Sequence, residues 1–192
     1  MHSPAFRLPL QQPTPVPADV EAALTVELAA VVTGARRRVL RDGDRQIDTA
    51  HLLHSLMELD PEVRAAFGGP SQVARVLGYL VQRSIGYGLA WQGFVEDSGA
   101  LSVLRGSGGP GRPPGAAVRG VPGWSPSAVA AVAGALERAR LRGRSTAEGI
   151  DVLACLAADP DCRAAEVLRR ARVDPALLGA RIPELSRHVS SG

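Results

Sequence analysis

The sequence contains no lysine: all 22 of its basic side chains other than histidine are arginine. That absence excludes any lysine-dependent catalysis. It equally excludes a Gly-x-x-x-x-Gly-Lys-[Ser/Thr] phosphate loop, so the chain cannot hydrolyse a nucleotide by that route. Aromatic residues make up only 4% of the chain, so a core must rest on Ala, Val and Leu, which favours closely packed helices. Cysteine is limited to Cys155 and Cys162, too few for a disulfide framework and not at zinc-ligand spacing with nearby histidines. No apolar run approaches the length needed to cross a bilayer. The N-terminal stretch lacks the charged-then-apolar pattern of a signal peptide, so a cytoplasmic location is expected.

What the chain has in abundance is Arg, Ala, Gly and Pro, a bias of the kind that GC-rich, actinobacterial-like genomes produce. The net charge of +3 is unevenly placed: residues 1–104 carry 9 Arg against 11 acids, residues 105–192 carry 13 Arg against 8 acids. Proline and glycine divide the chain. Residues 1–18 hold Pro4, Pro9, Pro13, Pro15 and Pro17 and read as a flexible tail. Residues 105–123 hold seven Gly and four Pro and read as a flexible linker. Just before that linker, residues 83–104 form an insertion carrying Tyr87, Trp91 and Phe94. These rings either cap the first lobe or form a partner-docking surface, since aromatics supply much of the energy at interface centres.

On either side of the linker the sequence repeats itself. A shift of 100 positions lays Leu24-Thr25 on Trp124-Ser125, Val32 on Val132, Ala35 on Ala135, Gly43 on Gly143, and Leu53 and Leu56 on Leu153 and Leu156. Each unit, at residues 19–82 and 124–188, opens with an N-cap, Thr25 or Ser125, the latter followed by Pro126 at the first helical position. A buried stripe follows at three-to-four spacing: Leu28, Val31, Val32, Ala35 and Val39, or Ala128, Val132, Ala135, Leu136 and Ala139. A glycine then stops the helix. Second helices are expected from about Asp48 to Leu59 and Ala147 to Ala158, ended by the Asp60-Pro61 and Asp159-Pro160 pairs. Shorter ones follow over Pro61–Phe67, Ser71–Gln82, Cys162–Arg170 and Pro175–Arg187. The expected fold class is all-α: two pseudo-symmetric four-helix repeats that share one apolar seam, since neither has much core alone.

This repeated pattern resembles the Clp repeat, the substrate-facing N-terminal domain of Clp unfoldases. The family's Gly-Thr-Glu-His-Ile-Leu-Leu-Gly-Leu helix is matched by Asp48-Thr49-Ala50-His51-Leu52-Leu53-His54-Ser55-Leu56. A weaker match is Glu148-Gly149-Ile150-Asp151-Val152-Leu153-Ala154-Cys155-Leu156. The resemblance implies a stand-alone N-domain without the ATPase. Such a module binds peptides or unfolded and tagged proteins, with Clp ATPase or protease subunits as further partners. In ClpC-like proteins the motif glutamate and the first helix start hold phosphorylated arginine. Here Ala50 and Ile150 stand at the glutamate positions, while Thr25 and Ser125 keep the helix-start half of such an anion site. Related domains also bind cyclic-peptide antibiotics through aromatics at helix starts; Trp124 matches that position and Leu24 replaces the ring in the first repeat.

Other readings carry less. His51 and His54 are spaced i, i+3, as two metal ligands can be, but no third ligand is evident, so no metal and no cofactor is expected. A grouping of His51, Asp151 and a cysteine as a nucleophile set is outweighed by Cys155 lying on an apolar helix face, so no catalytic residue and no enzyme activity is expected. Arg36, Arg37, Arg38 and Arg41 suggest, as the alternative, a small helical DNA-binding regulator. Asp42, Asp44 and Asp48 follow directly and oppose a basic groove, so neither nucleic acid nor membrane is the expected partner. The reading is a non-catalytic peptide- or protein-binding module acting as adaptor, decoy or sequestering factor linked to Clp proteolysis, with Thr25, Trp124 and Ser125 as the peptide-binding residues.

Overall fold

The computed structural model describes residues 24–44, 46–84, 96 and 123–189, with the side chains of residues 183–189 left aside. The aromatic residues Tyr87, Trp91 and Phe94, the Pro-rich tail and the Gly/Pro-rich linker up to residue 122 lie outside the described residues. Eight helices and no strand are formed by what is described: α1 Val26–Asp42, α2 Thr49–Leu59, α3 Pro61–Ala65 and α4 Pro70–Ser84 in the first repeat, α5 Pro126–Leu141, α6 Gly149–Ala158, α7 Arg163–Arg170 and α8 Pro175–Val189 in the second. None is long and apolar enough to cross a membrane.

Local chemistry sets the helix ends. The Thr25 hydroxyl accepts from Leu28 N at 3.2 Å and the Ser125 hydroxyl from Ala128 N at 3.1 Å. Each thereby satisfies a donor that the first helical turn leaves open. Gly43 (φ 72°) follows α1 and Gly143 (φ 73°) follows α5 in the left-handed conformation that a Cβ disfavours. Asp48 caps α2 by accepting from His51 N at 2.9 Å. Asp60 ends α2 and caps α3, accepting from Glu62 N and Val63 N at 2.9 and 3.1 Å. α3 closes at Ala65, two residues before the expected Phe67, because Gly68 and Gly69, the latter at φ 109°, turn the chain towards α4.

The two repeats are clasped by exchange. Two parallel bridges join Leu24 to Ala147 and Ile47 to Trp124, so the lead-in to the first helix of each repeat lies beside the lead-in to the second helix of the other. Ile47 N donates to Gly123 O at 2.8 Å and Ser125 N to Ile47 O at 2.7 Å. A single apolar cluster crosses the junction, with Leu28, Leu52, Leu53 and Leu56 from one repeat and Ile150, Leu153, Leu156 and Leu168 from the other almost wholly buried. Each such side chain contributes about 1.5–3 kcal/mol, and the shared seam lets each repeat stand on a core it could not build alone.

Candidate functional site

Both helix starts flagged in the sequence are built as helix caps, yet their surroundings differ. Thr25 is half-buried, and its N–H donates to Ala147 O at 3.3 Å. Ser125 is fully buried. Trp124 is 6% exposed and joins the shared core, with its indole N–H buried and without a hydrogen-bond partner among the described residues.

At Ser125 the structure supplies a residue that sequence reasoning had not singled out. Glu96, itself only 5% exposed, places its carboxylate where three helices begin. Its Oε2 accepts from Thr49 N at 2.9 Å and from the Ser125 hydroxyl at 2.7 Å. Its Oε1 accepts from Arg163 N at 2.6 Å and from the Thr49 hydroxyl. Thr49 and Arg163 are the first residues of α2 and α7, and Ser125 is the cap of α5, so the carboxylate sits at the positive ends of three helix dipoles. The Thr49 hydroxyl also accepts from Ala164 N at 3.0 Å, tying α2 to α7. No local pattern announces Glu96, whose partners are 29 to 67 positions away in the sequence.

Beside this junction lies a cavity of about 420 Å³. Its wall runs from Thr49 along the first turns of α5 (Ser127, Ala130, Ala131), past Cys155 and Leu156 on α6, to the turn at Asp159–Cys162. The lining is mostly apolar, with Ala130 and Ala158 exposed. Ser127 is 2% exposed and its hydroxyl has no hydrogen-bond partner among the described residues. Cys155 and Cys162 are free thiols, both raised by burial, Cys162 to about 12. Neither is primed as a nucleophile. Cys162 serves as a cap, its sulfur accepting from Ala165 N at 3.3 Å.

A buried ion network supports the same junction from the other side. Asp48 pairs with His51, Arg83 and Arg163; Arg163 Nη1 donates to Asp48 Oδ2 at 2.6 Å. Burial alone would raise the Asp48 pKa, but His51, Arg83 and Arg163 hold it well below the ordinary carboxylate range. Asp44, Asp48 and His51 are close enough together to contact one ion. Two arginines already neutralise Asp48, and the His51 ring lies between the two carboxylates, with Nδ1 2.8 Å from Asp48 and Nε2 3.0 Å from Asp44. The donor set is thus already used for ion pairing. His54 does not join His51. Its Nδ1 is 3.1 Å from Arg38 Nη1 and its Nε2 is 3.3 Å from Glu58. In the second repeat Asp151 is held by Arg142 and Arg144.

Two arginines of the run on α1 are likewise committed. Arg38 is 9% exposed, bonded to His54 and paired with Glu58, and Arg41 pairs with Asp42 at 2.9 Å. The basic row expected of a DNA-reading helix is thereby partly neutralised.

The two interlocked four-helix repeats define an all-α domain with the Clp N-domain-like fold. The crystal structure of the N-terminal domain of the caseinolytic protease associated chaperone ClpD from Arabidopsis thaliana is similar, with a TM-score of 0.58 and 16% sequence identity over 90% of this chain and 99% of that one. No family model matches the chain, and no curated protein matches it significantly.

Proposed function

We propose that the chain is a non-catalytic peptide- or protein-binding module that works as an adaptor, decoy or sequestering factor linked to Clp proteolysis. The observation that carries this reading is the pairing of a Clp N-domain-like fold with an open, mostly apolar cavity of about 420 Å³ beside the start of α5. A groove lined by alanine and sulfur with a few polar groups at its edge suits an extended peptide side chain better than a small charged substrate. Trp124 and Ser125 lead into α5, which forms one wall of the cavity, and Thr25 holds the matching start of α1; these three are the peptide-binding residues of this reading. Clp ATPase or protease subunits, unfolded or tagged proteins and cyclic peptides are the partners that this fold's resemblance suggests.

The test is fluorescence anisotropy of labelled, permanently unfolded casein with the full chain and with Ala130→Glu. Ala130 is exposed on the cavity wall, so the substitution charges and fills the groove without entering the core. Binding that weakens about tenfold or more with unchanged helicity supports the groove. Unchanged affinity removes the cavity from the site, and no binding by the parent chain sinks the reading. Trp124→Ala is the companion variant, but truncating a buried ring also opens the core, so its affinity is compared at matched helicity.

A further inference from the structure

The cavity beside α5 carries a charge opposite to that of the chain. The net charge is +3, with arginine the only basic residue besides histidine. Among the described residues lining the cavity there is neither arginine nor histidine. Two carboxylates, Asp159 and Asp161, stand there instead, in the turn between α6 and α7. Asp42, Asp44, Asp48 and Asp151 are all paired with arginine. Asp159 and Asp161 have no such partner among the described residues. Asp159 Oδ1 accepts from Asp161 N at 3.1 Å, and Arg169, which reaches the same turn, donates to Pro160 O at 2.8 Å.

The first repeat shows how the cavity arises. α2 holds 11 residues and α6 holds 10, so in the shared register Leu59, the last residue of α2, falls where the second repeat has Asp159. Leu59 reaches over α1: its Cδ1 would stand 3.4 Å from a methyl group on Gly34. A methyl group on the matching Gly134 would meet only Cys155, 3.0 Å from its Sγ, among the described residues. Glu27 and Glu58 likewise have the smaller Ser127 and Ala158 as counterparts. The groove that an apolar side chain covers in one repeat is thus left open in the other and given an acidic edge. An independent feature of the same cavity is the Ser127 hydroxyl, on a residue 2% exposed and without a hydrogen-bond partner among the described residues. A buried hydroxyl in that state fits an occupant that forms a hydrogen bond.

We infer, on the reading of this cavity as a peptide groove, that it selects cations: the peptides it takes present a lysine or arginine side chain to Asp159 and Asp161. Such a side chain combines an apolar stem with a charged head. The stem lies against Ala130, Ala131, Leu156 and Ala158, and the head faces the two carboxylates. The Ser127 hydroxyl accepts from an ammonium or guanidinium N–H. Complementary charge of this kind sets the choice among partners more than it adds affinity. A side chain of the same length without the charge fills the same walls but leaves both carboxylates and the hydroxyl unanswered.

The experiment is fluorescence anisotropy of the full chain with four labelled peptides. They share one uncharged, mainly apolar sequence and differ at a single central residue: lysine, arginine, norleucine or glutamate. At ~0.15 M salt the lysine and arginine peptides are expected to bind about three- to tenfold more tightly than the norleucine peptide, and the glutamate peptide more weakly. The chain itself is net positive, so its overall charge opposes that preference. In Asp159→Asn/Asp161→Asn the preference should vanish, with norleucine-peptide affinity and helicity unchanged. Asp161→Asn alone, at an exposed position, should lose part of it and keeps the test readable if the double variant unfolds. Equal affinity for all four peptides, a preference for glutamate, or a cationic preference that survives both substitutions overturns the subsite and leaves the peptide groove standing. Casein binding without binding of any of the four peptides also overturns the subsite alone. Failure to bind either casein or the peptides sinks the groove and the subsite together.

Discussion

Gly149 and Asp60 pack so closely across the two repeats that a methyl group on Gly149 would stand 3.1 Å from Asp60 Cγ and 3.0 Å from Leu56 Cδ2, and closer still to Asp60 Oδ2. Asp60 cannot swing away freely, because its other oxygen caps α3. Gly149→Ala is therefore expected to destabilise the fold by about 1–3 kcal/mol despite the better helix propensity of alanine. Urea unfolding checks this. Adding Asp60→Ala should make the pair clearly non-additive, since it removes the clash along with the cap.

Thr49 ties α2 to α7 and to Glu96 with one hydroxyl, which donates to Glu96 and accepts from Ala164 N. Thr49→Val keeps the shape and strands both partners, at an expected cost of about 1–3 kcal/mol. Thr49→Ser, which keeps the hydroxyl, should lose less. Equal losses in the two variants by urea unfolding would show that the methyl group, rather than the hydrogen bonds, carries the effect.

His51 and His54, three residues apart on α2, should titrate in opposite directions. Burial opposes the charged form of His51, yet Asp48 and Asp44 outweigh it and its pKa is raised. For His54, burial and the Arg38 guanidinium bring the value down from 6.5 to about 4. Because the unfolded His54 binds its proton more readily, its contribution to stability is complete above pH 6.5 and is lost as the pH falls towards 4, by roughly 3 kcal/mol. The contribution of His51 has the opposite sign: it is present below pH 6.5 and is lost as the pH rises through its raised folded value. Imidazole proton resonances followed against pH resolve the two, and His54→Gln should flatten the fall in melting temperature between pH 6.5 and 4.

The two thiols should differ in access. Cys155 is half-buried on the cavity wall, whereas Cys162 is 1% exposed and engaged at the start of α7. One thiol per chain is expected to react with a maleimide under native conditions and the second only in denaturant. Peptide mapping that found Cys162 labelled first would contradict this arrangement.

Much of the architecture could be read along the chain because its signals are local. Thr25, Ser125 and Asp48 are short polar residues placed ahead of apolar stripes, and each satisfies backbone donors within three positions of itself. The repeat itself was visible because the same helix-stop-helix chemistry recurs at a fixed offset. Less could be read of the site. The residues Thr25, Trp124 and Ser125 stand at helix starts, as their spacing suggests. That Trp124 belongs to the core, and that Ser125 is already hydrogen-bonded to a glutamate, depends on partners elsewhere in the chain.

The helices, their caps and the division into two related repeats are written in the order of residues, because they follow from hydrogen bonds and hydrophobic periodicity within a few positions. The exchange of lead-in segments between the repeats, Leu24 with Ala147 and Ile47 with Trp124, and the place of Glu96 at three helix starts at once come from the folded chain alone. Contacts of that range arise when the two half-cores bury each other, which brings together donors that have no relation along the chain.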